Sequence, residues 1–180
     1  MARFHRTSRG IEARFHRHDV QVLRQLLGWI AGLLAEEADP DASTDPLEAI
    51  VGVDTRARER PDDPVLARLL PDAYDDADAA SEYRRYTERG LREGKVEAAR
   101  TALATLERGG RVVLDDEQAQ AWLTALNDLR LALGVRLDVT DDTGDEIDRL
   151  PEDDPRKRSL IVFSWLGWLQ ETLVESVAGW

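Results

Sequence analysis

Apolar residues recur at two different periods along the chain, and the change of period marks out its elements. Ile11, Ala13 and Phe15 alternate with Glu12, Arg14 and His16, the pattern of a strand with one buried face. With residues 3–7 this predicts a hairpin that turns at Ser8-Arg9-Gly10. Leu23, Leu26, Leu27, Ile30, Leu33 and Leu34 then fall at spacings of three and four, predicting an amphipathic helix over 19–37 with Asp19 as its cap. Asp45-Pro46, Asp63-Pro64 and Asp154-Pro155 each read as a helix start, because Asp accepts from free N–H groups while Pro fits the first turn. The first of these opens a short helix ending near Gly52, the second a helix over 65–70 stopped by Pro71, and the third the last helix, 156–177.

From residue 72 the pattern is helical to about 107, with a bend expected near Gly90–Gly94. Tyr86, Gly90, Gly94, Ala98, Ala102 and Leu106 form a stripe at spacing four, read as a close-packing seam within the chain. Gly109-Gly110 breaks the helix, and residues 111–114 (RVVL) form a short strand that can join the hairpin. Asp115 or Asp116 starts a further helix with Trp122, Leu126, Leu129 and Leu133 on its apolar face, ended by Gly134. Residues 135–139 read as extended and 140–155 as an acidic loop. That loop lacks the Asp-x-Asp-x-Asp-Gly order and closing Glu of a calcium site. The last helix is apolar nearly all round, through Leu160, Ile161, Val162, Phe163, Trp165, Leu166, Trp168 and Leu169. Two readings stand for it: a fully enclosed core helix, or a dimer helix built on Phe163, Trp165, Trp168 and Leu169. Together these elements predict a mainly α chain, a helical bundle with a small N-terminal β-hairpin joined by one more short strand. It reads as a single domain over 1–180, with surface loops at 38–62 and 138–155.

Charge narrows the function. Twenty-four Lys and Arg against 36 Asp and Glu give a net charge of −12, which favours protein partners over direct DNA binding or an anionic membrane surface. The excess is uneven: residues 1–18 hold five Arg, one Glu and all three His. This basic arm reads either as a contact for nucleic acid or an acidic partner, or as a solvated hairpin lying against the acidic body. His16 and His18 could share a strand face as a metal pair, but no further ligand accompanies them. No run of apolar residues approaches the ~18 needed to span a bilayer, and no signal sequence is visible, so the chain reads as cytoplasmic. With no cysteine there is no disulfide, thiol nucleophile or thiol switch. Nucleotide-binding glycine loops, His-Glu-x-x-His and Gly-x-Ser-x-Gly are absent from the sequence. The chain therefore reads as non-enzymatic, without a cofactor. An enzyme would need a pocket with polar groups converging around Tyr86, Arg92 or Trp122.

Two stretches carry a family signature: LLPDAYDDADAASEYRRYTERGLREGK (69–95) and RVVLDDEQAQAWLTALNDLRLALGVRL (111–137). With the closing LGWLQETLV (166–174), they resemble the actinobacterial AosR-like family, long described as a domain of unknown function and encoded near the Clp protease adaptor. The run from Trp122 to Gly134 is the most specific part. The resemblance implies a cytoplasmic regulator of transcription or oxidative-stress response. Such a protein acts by protein–protein contacts, its acidic body meeting a basic surface, for instance on the transcription machinery. The alternative is an adaptor or structural subunit linked to regulated proteolysis. The signature polar residues are Arg84, Arg85, Arg92, Asn127, Asp128 and Arg130. Either an Arg of the first stretch pairs with Asp128 to lock the two signature helices, or these groups form an exposed recognition site.

Overall fold

The computed structural model describes residues 2–36, 59–106 and 110–179. The chain is mainly α, with three strands, β1 (Phe4–Thr7), β2 (Gly10–Arg14) and β3 (Arg111–Leu114). Six helices accompany them among the described residues: α1 (Arg17–Glu36), α2 (Pro64–Leu69), α3 (Ala77–Leu106), α4 (Asp116–Arg136), α5 (Thr143–Arg149) and α6 (Pro155–Ala178). The helix expected from Asp45-Pro46 lies outside the described residues. The other two Asp-Pro starts cap as expected: Asp63 accepts from the N–H groups of Val65 and Leu66, and Asp154 from that of Arg156. Asp115 opens α4 with a reciprocal capping box, its side chain on Gln118 N and the Gln118 side chain on its own N–H. Asp19 acts from inside the first turn of α1 rather than before it, accepting from His16 N at 2.9 Å.

Several boundaries differ from the pattern. Helix α3 runs unbroken through Gly90 and Gly94, since helical glycine is costly by only about 1 kcal/mol when packing elsewhere compensates. Helix α4 continues past Gly134 to Arg136 instead of giving way to an extended stretch. The acidic segment holds a short helix, α5.

The sheet has order β1-β2-β3, antiparallel throughout. Phe4 faces Ala13, Ile11 faces Leu114 and Ala13 faces Val112, so the period-two residues all bury on one side. Gly10 sits at φ +126°, and a Cβ there would collide with the carbonyl oxygen of Leu114. Below the sheet, Phe4 and Phe15 meet Trp122 of α4 at centroid distances of 5.4 and 5.9 Å, and the indole N–H donates to Thr105 Oγ1 of α3 at 2.9 Å.

Helix α4, not α6, is the central element. It packs against α1, α2, α3 and α6, and buries Ala119, Trp122, Ala125, Leu126, Leu129 and Ala132. Small residues on three of those positions let its neighbours approach closely. Helix α6 covers one side: Leu160, Leu166, Leu169 and Leu173 are buried while Ile161, Trp168, Val174 and Val177 stay exposed. The expectation of a fully enclosed last helix is therefore corrected. Its outward face is mixed, with Arg158 and Ser164 beside Ile161 and with Trp168, Val174 and Val177 further along.

An acidic chain must still close the carbonyl-rich ends of its helices, and here distant cations do so. Arg92 donates to Leu34 O at the end of α1, Arg84 to Leu70 O at the end of α2, and Arg24 to Leu106 O at the end of α3. Lys157 donates to Leu150 O beyond α5, and Arg6 to Ser176 O near the end of α6. Helices α1, α3 and α6 carry no basic residue in their own last turns. Each such cation satisfies a free carbonyl and opposes the negative end of the helix dipole, so it also ties one element to another.

Candidate functional site

The family-signature residues gather along α3 and α4 but do not form one site. In the first half of α3 the inward positions, four apart, are Ala80, Arg84, Glu88 and Arg92, all buried. Glu88 stands between two guanidiniums, with Arg84 Nη1 at 2.7 Å and Arg92 Nε at 2.9 Å. Arg84 also donates to Asp72 Oδ1 at 2.6 Å. Burial alone would push the Glu88 carboxyl up, but hydrogen bonds from Arg84 and Arg92 override it and hold it below the usual carboxylate range. Arg84 is correspondingly held in its charged form.

The expected link between an Arg of the first stretch and Asp128 does not form. Lys95, one turn beyond Arg92, reaches Asp128 instead, Nζ to Oδ1 at 2.6 Å, because Arg84 is drawn the other way to the end of α2. The lock between signature helices exists, but with another residue. Asp128 is 2% exposed and its Oδ2 has no partner, so burial raises its carboxyl above the ordinary range despite Lys95. Asn127 is exposed on the far side of α4. Arg130 turns to α6, donating to Gln170 Oε1 at 2.7 Å and lying over the Phe163 ring. Gly167 lies against it, where even a Cβ would make ordinary contact, 3.6 Å from Arg130 Nε. Arg85 is half-buried beside the Tyr86 ring.

Of the candidate dimer helix, Phe163 and Trp165 are half-buried, Leu169 is buried, and Trp168 is exposed with its Nε1 donating to Ala2 O at 3.2 Å. Only part of that set faces outward. The close-packing stripe is likewise divided: Ala98, Ala102 and Leu106 are buried, whereas Tyr86, Gly90 and Gly94 face solvent.

The basic arm is built into the sheet rather than lying loosely on the body. Glu12 is buried among Arg111, Arg9 and Thr7, and the hydrogen bond from Arg111 is the main reason its carboxyl lies low. Arg6 adds a 3.6 Å ion pair to Asp116. His16 follows β2 and His18 lies in the first turn of α1, so the two imidazoles do not share a strand face. Among the described residues no group of three or more His, Asp or Glu is placed to hold a metal. Nor is any helix of the described residues long and apolar enough to cross a membrane.

Tyr86, Arg92 and Trp122 do not converge on a chamber: one is exposed, one belongs to the buried ion row and one is core. A cleft of about 210 Å³ does exist near the first of them, and the sequence reading missed it. Leu70, Pro71 and Ala73 form one wall, Ala80, Tyr83 and Leu91 the other, and Arg84 and Glu88 lie at its floor. Tyr74 meets Tyr83 edge to face at 5.6 Å. The signal was present in the sequence, since all three tyrosines fall between residues 74 and 86.

Comparison with known proteins places the sequence in a family. The family model described as a domain of unknown function, DUF2017, matches residues 1–177. Proteins named "Oxidative stress regulator AosR" from Mycobacterium tuberculosis strain H37Rv and from Mycobacterium bovis are each 40% identical over 177 residues, covering 90% of this chain and 79% of theirs. No solved structure matches. Lys95–Asp128 and the Arg84–Glu88–Arg92 row thus sit within the matched region, and the chain belongs to the DUF2017 family, with the AosR-like regulators among its members.

Proposed function

We propose that this protein is a cytoplasmic, non-enzymatic regulator of the oxidative-stress response, and that it acts on transcription by docking its acidic body onto a basic protein surface. The names of its mycobacterial relatives support the regulatory part. One structural observation carries the rest. The buried charges are engaged with one another, Glu88 with Arg84 and Arg92, and Asp128 with Lys95. Two exposed segments instead present carboxylates: Asp75, Asp76, Asp78 and Glu82 at the start of α3, and Asp141, Asp142, Asp145 and Asp148 around α5. Fields of one sign at a surface steer oppositely charged partners and suppress like-charged ones, DNA included. Because the chain has no cysteine, a redox signal reaches it through its partner rather than through a thiol of its own.

Affinity purification from the native cell, with and without oxidant and read by mass spectrometry, tests the proposal. The expected result is enrichment of a basic transcription protein that salt releases. Enrichment of Clp components instead would establish the adaptor reading. In parallel, the purified protein is expected to leave duplex DNA unshifted at physiological salt. Tight, salt-sensitive DNA binding by the protein alone would overturn the proposal.

A further inference from the structure

The geometry points to the cleft between the α2–α3 connection and the first half of α3 as the anchor point for the partner: a Lys- or Arg-flanked segment that inserts one large apolar side chain. This inference rests on the protein-contact reading above and gives it a location.

The cleft is shaped for a side chain rather than for a metabolite. Its volume of about 210 Å³ falls below the ~300–1,000 Å³ of sites for drug-sized ligands. The charged groups at its floor are already engaged. Arg84 donates to Leu70 O, Asp72 and Glu88, and the second oxygen of Glu88 accepts from Arg92. What the cleft offers is its walls of Leu70, Pro71, Ala80, Tyr83 and Leu91.

The surroundings specify the partner's chemistry. Tyr74, Tyr83, Tyr86 and Leu91 are between 44 and 56% exposed, four of the nine large apolar side chains left exposed among the described residues; Tyr83 and Leu91 line the cleft, and Tyr74 packs edge to face on Tyr83. Tyrosine is favoured at interfaces because it offers a rigid apolar face with a polar tip. Its ring face also attracts cations. Between Leu69 and Tyr83 the chain carries Asp72, Asp75, Asp76, Asp78 and Glu82 and no Lys or Arg. An apolar anchor alone would suit many partners, but the exposed Asp75, Asp76, Asp78 and Glu82 of the adjoining segment select one with flanking positive charge. A second copy of the chain fits poorly, since a two-fold contact here would set the same carboxylates against each other.

The test uses the full chain and an array of short synthetic peptides, each with one Leu, Phe or Trp flanked by Lys and Arg. Matched arrays replace the apolar residue with Ser, or the basic residues with Glu. The expected result is saturable binding to the first array alone. Tyr83→Ser or Leu91→Ser should weaken it about tenfold, as should Asp75→Lys combined with Glu82→Lys. Trp168→Ala, on the outer face of α6, should leave it unchanged. Circular dichroism of each variant confirms an intact fold, and the exposed Asp75/Glu82 pair, which leaves the Asp76 cap of α3 in place, provides a readout independent of helix packing. If the Ser-substituted peptides bind equally well, or binding survives these changes, the cleft is not the anchor, although a basic partner could still dock elsewhere on the acidic surface. If no basic peptide binds, and the affinity purification also enriches no basic protein, the inference and the underlying functional reading fall together.

Discussion

In the second half of α3 the inward residues Ala99, Ala102 and Leu106 join the apolar core around Trp122. In the first half the equivalent positions are Arg84, Glu88 and Arg92. One continuous helix is therefore held by two kinds of interaction. Apolar burial is non-directional and insensitive to pH, so it needs no particular partner. The charged row is conditional. Three desolvated ions are tolerable only together, and the arginines are further engaged with the carbonyl ends of α1 and α2. Removing one partner from such a group costs far more than the group contributes as a whole.

Substitution sharpens that contrast. Trp122→Ala should cost about 3–5 kcal/mol through the cavity left behind, and it also removes the indole donor from Thr105, whose hydroxyl keeps its bond to Ala102 O. Glu88→Ala should cost a comparable ~3–5 kcal/mol, because it removes the buried carboxylate that two guanidiniums share, leaving Arg84 to Asp72. The difference lies in the rescue. Replacing Arg84 and Arg92 with Met in the Glu88→Ala background should recover much of the loss, whereas no second substitution refills the Trp122 cavity. Urea denaturation of the set measures both, and a Glu88→Ala variant as stable as the parent would break the comparison.

Acidity gives a second, smaller effect with opposite signs at two carboxylates. Glu88 is depressed in the fold, so its stabilisation is present above the ordinary carboxylate range and is lost as pH falls through its low folded value. Asp128 is raised, so the fold carries its cost at neutral pH and is relieved as pH falls toward that raised value. Stability measured against pH should therefore rise slightly on mild acidification and drop at lower pH. Asp128→Asn should remove the rise and Glu88→Gln should flatten the drop. A rise that persists in Asp128→Asn would reassign it to another group. The smallest effect belongs to the surface of the same helix. Arg89 and Glu93 pair at 2.9 Å, but both are largely exposed, and Arg89→Ala should change stability by less than about 0.5 kcal/mol, and by less still in high salt.

How much of this was legible in the sequence depended on whether a residue's environment is set locally. The period of two around Ile11, Ala13 and Phe15 and the Asp-Pro starts at Asp63 and Asp154 depend on backbone neighbours a few positions away, and they are found where expected. The boundary signals at Gly90, Gly94 and Gly134 misled, because packing overrode a modest propensity. Lys95 was overlooked as the partner of Asp128, since their approach depends on the crossing of α3 and α4. The cleft went unseen for the same reason: Leu70 and Leu91 come to line one space only when the end of α2 is brought beside α3.

By itself the sequence determined the fold class, the N-terminal hairpin, most of the helix starts and the family. Each of these is written in spacings shorter than two helical turns or in a motif that can be read directly. Tertiary structure alone decided that α4 rather than α6 is central, and which cation closes which helix. It also decided which of two chemically similar faces of α3 turns inward. An Arg at spacing four reads as a solvated face until a carboxylate and two helix ends are brought against it. Burial, and with it the worth of a charge, depends on what the rest of the chain places nearby.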